Sequence, residues 1–346
     1  MGIGSSSGAG YSYTAVAQWL ADGSRNFGRA GFERASARFA PLPPSLAGLS
    51  FIVTGANSGL GFATALALAR LRADVHLVCR SRARGEEALR SIRAAPQCAE
   101  ARLELHVCDF SSAQQVKEFA SAWEARGAPL HGLVLNAGYI AQSLELSPEG
   151  VEASWATAMT QSYMLPGLLM PSLLRASEGG GGGRSPAARV IHVSSGGGLT
   201  VRCDVGGLAS AAAAAGGKKF DGTLAYAHAK RAQMLLAEAW AARAPRERVW
   251  VGSMHPGWAE TEGVRTQLAD FAERNKGSLR SAEQGADTIV WLAAAPELPA
   301  GGAGQLFLDR AVVKQHYALA GTQSSEGDKA ALWEACAKAC GWRDSP

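Results

Sequence analysis

The 346-residue chain is 47% hydrophobic and 18% charged, a balance that buries a substantial core and excludes global disorder. Its net charge of +4 is scattered, with no basic stripe interleaved with aromatics, which argues against a nucleic-acid partner. Six cysteines make no disulfide framework and none sits in CxxC spacing; Cys336 and Cys340 share a helix face but lack further ligands nearby, so the reading is no metal and a reducing compartment.

The first ten residues, MGIGSSSGAG, have a flexible composition and fit a myristoylation signal at Gly2 with Ser6, or simply a loose end. The next stretch sets Trp19, Phe27, Phe32 and Phe39 among Arg25, Arg29, Arg34 and Arg38. Three readings stay open there: a segment lying on a membrane surface, an organellar targeting sequence, or a helix packed on the main domain. PLPPS at 41–45 reads as a hinge. No run reaches the roughly 18 apolar residues of a membrane span; YMLPGLLMPSLL at 163–174 is too short and carries two prolines. A cytoplasmic location, or the cytoplasmic face of a membrane, is expected.

From Leu49 short apolar runs alternate with helical patterns: SFIVTG, DVHLVCR, RLELHVCDF, GLVLNAG, RVIHVSS and VWVGSMHPG read as strands. Such alternation predicts a parallel sheet covered on both faces, a doubly wound α/β fold of the Rossmann type. The predicted organisation is an N-terminal extension with a helical segment over 1–47, one α/β domain over 48–310, and a C-terminal extension with a helix over 311–346. EGGGGGRS at 178–185 and LASAAAAAGGKK at 208–219 read as loop expansions.

TGANSGLG at 54–61 follows a strand and opens a helix, the context that a phosphate-binding loop needs. Gly55 allows the tight turn, Gly59 the close approach of a pyrophosphate, and Gly61 close helix–strand packing; Asn57, Ser58 and Leu60 complete the loop. The helix N-terminus offers free N–H groups and partial positive charge. The second strand ends in CRSRAR. An NAD site would carry an acidic residue there, whereas Arg80, with Arg82 and Arg84 behind it, suits a 2′-phosphate and so NADP(H). Further on, LAYAHAK sets Lys230 four residues after Tyr226, on one helix face, where a cation could stabilise a tyrosinate.

Together these stretches resemble the short-chain dehydrogenase/reductase family. Its ordered motifs match TGANSGLG, Asp109, NAG at 136–138, Ser195 of VSS, Tyr226 with Lys230, and Pro256–Gly257, from about Leu49 to Leu308. Stretches such as HLVCRSRA, VSSGGGL and SMHPGWAETEGVR are similar to its retinol-dehydrogenase-like branch. The resemblance implies a hydride-transfer oxidoreductase in which Tyr226 exchanges the substrate proton and Ser195 holds the substrate oxygen. Lys230 would bond the ribose and help the nicotinamide bring the Tyr226 pKa down from near 10. Asp109 would lie near the adenine, with Asn136, Ala137 and Gly138 beside the cofactor and Thr261 toward the nicotinamide. Asp109 and Thr261 also fit plain turn or cap roles. The substrate that the resemblance implies is a small lipophilic alcohol or carbonyl; the expected lid at 258–277 mixes apolar and charged residues and names no ligand.

One position departs from the pattern. The family places an asparagine on the helix after NAG, where it helps hold a water near the lysine; an ungapped count puts Ala158 there and Gln161 in place of a glycine. Two roles are therefore weighed: a working NADP(H)-dependent oxidoreductase, or the same fold kept as a structural subunit with little turnover. A homo-oligomer and a larger assembly both stay open.

Overall fold

The computed structural model describes residues 10–99, 101–178, 183–184, 187–205 and 220–344. Gly2, Ser6 and the alanine-rich stretch at 208–219 lie outside the described residues, as does most of 178–185. Two short helices come first, α1 (Tyr13–Asp22) and α2 (Arg29–Ser36), joined by a π turn at Gly23–Phe27. Then β1 (Ser50–Thr54), α3 (Gly59–Arg70), β2 (Asp74–Cys79), α4 (Arg82–Ala94), β3 (Leu103–Val107), α5 (Ala113–Glu124) and β4 (Gly132–Leu135) alternate as the sequence pattern predicts. The next stretch holds α6 (Ala153–Met159), a π turn at Thr160–Met164, α7 (Leu165–Leu168) and α8 (Met170–Glu178). It leads through β5 (Ala188–Val193) to the long α9 (Gly222–Arg243) and β6 (Val249–Met254). The chain closes with α10 (Glu262–Gln267), α11 (Ala269–Arg274), α12 (Ala282–Ala294), β7 (Leu306–Leu308), β8 (Ala311–Val313) and α13 (Glu326–Cys340).

The strands form one sheet in the order β3-β2-β1-β4-β5-β6-β7-β8, with β3 through β7 parallel and β8 antiparallel at the edge. Alternation along β1 sends Phe51 and Val53 to one buried face and Ile52 to the other. The first face packs on α3 and α12 through Leu68, Ile289 and Leu292, and the second on α6 and α9 through Trp155, Met159, Leu235 and Trp240. Because strand order reverses between β1 and β4, the loops after their carboxyl ends part and leave a crevice, the usual ligand position of such sheets.

The sheet runs past the boundary that the sequence suggests at 310. β8 folds back on β7 through Asp309 and Arg310, both at positive φ (51° and 61°), a two-residue hairpin turn. The usual Asn-Gly signal is missing from this turn. Instead Arg280 grips Asp309 at 2.6 and 2.8 Å, and Asp287 grips Arg310 at 2.8 and 2.6 Å. These buried pairs hold a backbone that the residue types alone would not choose.

The N-terminal aromatics turn inward onto the domain. Phe27 stacks edge-on against His255 at 4.8 Å, Arg280 lies 5.4 Å over the Phe32 ring and Arg310 lies 4.3 Å over Phe39. Ser12 starts α1 as its cap and its backbone N–H bonds to Thr200 O at 2.9 Å. Among the described residues no helix is long and apolar enough to cross a membrane.

Candidate functional site

The crevice at the β1/β4 reversal is a cleft of about 730 Å³. Its floor is the glycine loop. Gly55 and Gly59 sit at φ of +64° and +54°, where a side chain is strained. At Gly61 a Cβ would overlap the Gly55 carbonyl and lie 2.5 Å from Asn136 Nδ2, so α3 can seat against β1 only as glycine. Ser58 precedes α3 without a side-chain cap bond, which leaves first-turn N–H groups open to an anion. Asn136 braces the loop: its Nδ2 donates to Thr54 O at 2.9 Å and its backbone N–H to Thr54 Oγ1 at 2.8 Å.

Gly55, Asn57, Ser58, Gly59, Leu60, Arg80, Asp109, Asn136, Ala137, Gly138, Pro256, Gly257 and Thr261 all line this cleft, and Gly61 lies directly behind it. The two arginines after β2 differ. Arg84 donates to Glu262 Oε2 at 2.6 Å, tying the first turn of α4 to α10, while Arg80 lies 5.6 Å over the Tyr139 ring and has no acidic partner among the described residues. Asp109 and Thr261 keep the structural roles that the sequence also allowed. Asp109 Oδ1 accepts from Ser111 N and Oγ at 2.9 and 2.8 Å, and Thr261 caps α10 by accepting from Val264 N at 3.2 Å.

The opposite wall is α9, started by Asp221, whose carboxylate accepts from Leu224 N at 3.0 Å. One turn on, Tyr226 comes up beside Ser195, and the two line the cleft together. Ser195 stands after β5 as the cap of a 3₁₀ turn at Gly196–Thr200. Lys230 lies one further turn along, 4% exposed, with Nζ 5.4 Å from the Tyr226 ring centroid.

The lowering expected for Tyr226 was for a site with the nicotinamide bound; the protein alone behaves otherwise. Although the residue is partly exposed at the cleft wall, its phenol end is desolvated and the pKa is raised to about 12, with the Ser195 side chain opposing that rise. Burial lowers the Lys230 pKa to about 7. The protein alone therefore holds a protonated tyrosine beside a lysine that is easily neutralised, and any lowering of the tyrosine must come with a bound cationic group.

Several cleft residues went unrecognised in the sequence. Tyr11, Val16 and Trp19 reach in from the N-terminal segment, and Trp19 stacks on Trp258 and Phe271 of the lid at 5.5 and 6.4 Å. No sequence signal ties residue 19 to residue 258. Gln233 was missed too, although its place three residues after Lys230 on one helix was a usable signal; it accepts from the Lys230 Nζ at 2.7 Å. A second polar cluster outside the cleft joins His76, Glu104 and His106 on β2 and β3, but Arg126 already neutralises Glu104 through bonds of 2.7 and 2.6 Å.

A mostly parallel sheet with a glycine loop at its reversal defines a Rossmann-like dinucleotide-binding fold. The chain belongs to the short-chain dehydrogenase/reductase family: the family model for short chain dehydrogenase matches residues 50–203. Members are oxidoreductases that use NAD(P)(H). The chain is 37% identical over 320 residues to dehydrogenase/reductase SDR family member 12 of Bos taurus, covering 92% of this chain and 95% of the relative. Among solved structures it is similar to an uncharacterised protein from Mycobacterium Paratuberculosis, with TM-score 0.63, 25% identity, and 88% and 97% of the two chains covered. It is also similar to the RhlG/NADP active-site complex of Pseudomonas aeruginosa, with TM-score 0.55, 25% identity, and 77% and 97% covered.

Proposed function

We propose that this oxidoreductase uses NADP(H) to interconvert an alcohol and a carbonyl on a small lipophilic molecule, with Ser195, Tyr226 and Lys230 as its reacting group. The observation that carries this reading is that all three line one cleft with the glycine loop and Arg80. The groups present suit the cofactor: open N–H groups at α3 for the pyrophosphate, and at the strand end a guanidinium with no acidic partner among the described residues for a 2′-phosphate. Arg80, and Arg84 if it leaves Glu262, would hold that phosphate, while Lys230 would hold the ribose. When bound, NADP(H) supplies or takes up the hydride.

The chain's own residues handle the proton. In the reducing direction Ser195 donates to the substrate oxygen and orients it toward Tyr226. A phenol whose pKa is pushed up to about 12 stays protonated at neutral pH and can donate to the oxygen as negative charge develops there. Lys230, as the ammonium, then favours the tyrosinate until a proton returns. Val16, Trp19, Ile140, Trp258, Leu268 and Phe271 give the substrate end apolar walls, which supports a lipophilic partner.

The test is NADPH oxidation against aldehydes and ketones graded in size and polarity. Turnover rising with apolar area is expected; a preference for small charged carbonyls would contradict the lipophilic assignment, and no turnover across the panel would favour the structural-subunit role.

A further inference from the structure

Position 158 holds an alanine where the family resemblance leads one to expect the asparagine that steadies a water beside the lysine. Ala158 is buried, and its methyl group can bond no water. The lysine is nevertheless gripped. Lys230 Nζ donates to Val193 O at 2.8 Å and to Gln233 Oε1 at 2.7 Å. The Gln233 amide has one workable orientation. Its Nε2 donates to Ser162 Oγ at 3.0 Å, and a reversed amide would set N–H groups against an ammonium that can only donate.

The π turn fixes this partner. Trp240 Nε1 donates to Ser162 O at 3.1 Å, and the neighbouring Gln161 bridges Thr54 Oγ1, at 3.0 Å, to the Ala137 carbonyl. Gln161, Ser162 and Gln233 have no solvent exposure at all. Protein side chains therefore fill the helix side of Lys230, while on the sheet side the fully buried His192 of β5 interacts with it electrostatically.

We propose that Gln233 is the positioning residue for Lys230, anchoring it through a side-chain amide, and that this arrangement turns the lysine's proton exchange toward the cleft. The proposal rests on the reading of Tyr226 and Lys230 as the reacting pair. An ammonium has three N–H donors; Val193 and Gln233 take two, and the third is left for the cleft, where Gly138 stands so near that a Cβ there would lie 3.3 Å from Nζ. When Lys230 is neutral, its two N–H groups stay engaged and the lone pair takes the third position. It can then accept a proton entering from the cleft mouth. An amide neither gains nor loses a proton at neutral pH, so Gln233 holds the lysine without relaying. In carbonyl reduction Tyr226 gives one proton to the substrate oxygen, Lys230 replaces it, and Lys230 regains one from solvent once product leaves.

Competitive acetylation of Lys230 with acetic anhydride across pH, read by mass spectrometry, measures its pKa without turnover. It should be run on the full chain, on Gln233→Leu and on Gln233→Glu, alongside kcat and KM for carbonyl reduction. Gln233→Glu is expected to raise the Lys230 pKa by about one unit and to move the alkaline limb of the kcat profile for carbonyl reduction to higher pH by the same amount. Gln233→Leu is expected to lower that pKa and to reduce kcat about tenfold with a smaller change in KM. Should Gln233→Leu fail to fold, Gln233→Glu, which keeps the shape, carries the test. A Lys230 labelling profile unchanged in the glutamate variant overturns the proposal. Profiles that shift as expected, in a protein that reduces no carbonyl, uphold the positioning and overturn the catalytic reading on which it was built.

Discussion

Replacing Arg80 by alanine separates a phosphate clamp from a solvated surface charge. Arg80 lines the cleft, lies over the Tyr139 ring and has no acidic partner among the described residues. Removing its charge-assisted bond to a 2′-phosphate should cost about 1.5–3 kcal/mol, or roughly 10- to 150-fold in Kd for NADPH. The structure narrows this range. Arg84 stands close by, and its bond to Glu262 joins two side chains that are each 53% exposed. Such a pair is worth at most about 1 kcal/mol, so Arg84 can be recruited and the single variant should fall at the low end, about 10- to 30-fold. Arg80→Ala with Arg84→Ala should show the full loss, while Glu262→Gln should tighten NADPH by up to about fivefold. Titrating NADPH and NADH by quenching of protein fluorescence reads all three. NADH affinity should barely change. An equal loss for both cofactors would refute the clamp and make Arg80 a support for the loop.

Two further outcomes follow from the packing. Gly61→Ala forces a Cβ into the Gly55 carbonyl and toward Asn136, so it should lower stability by about 1–3 kcal/mol and weaken both cofactors alike; a normal melt with unchanged binding would mean α3 can shift freely. His192 and His255 are fully buried, and burial pushes both pKa values down from 6.5 to about 3. The unfolded chain then binds more protons between pH 3 and 6.5, so their contribution is whole above 6.5 and lost as pH falls, roughly 2 kcal/mol each by pH 5. Urea melts at pH 7 and pH 5 check this, and equal midpoints would contradict it.

Much of the fold was legible because its signals are local. Five- and six-residue apolar runs, the strand–glycine–helix junction at 54–61 and the i, i+4 spacing of Tyr226 and Lys230 each depend on neighbours in sequence. What stayed hidden depends on distant partners. β8 forms because Arg280 and Asp287 hold the Asp309–Arg310 turn, and nothing within that dipeptide announces a hairpin. Trp19 becomes a cleft wall only because Trp258, far along the chain, folds against it. The burial that raises the Tyr226 pKa in the protein alone was hidden for the same reason: pairing with Lys230 could be read from spacing, whereas burial of the phenol could not.

The measurement that bears most directly on the account is a paired one on Tyr226→Phe: its Kd for NADPH and its rate of NADPH oxidation with the best carbonyl of the panel. Loss of the phenol hydroxyl removes the proton donor and leaves the cofactor loop untouched. The account predicts NADPH affinity within about threefold of the parent and turnover reduced at least about 10²-fold. Turnover near that of the parent, with the cofactor still bound, would contradict the assignment of this tyrosine and the chemistry built on it.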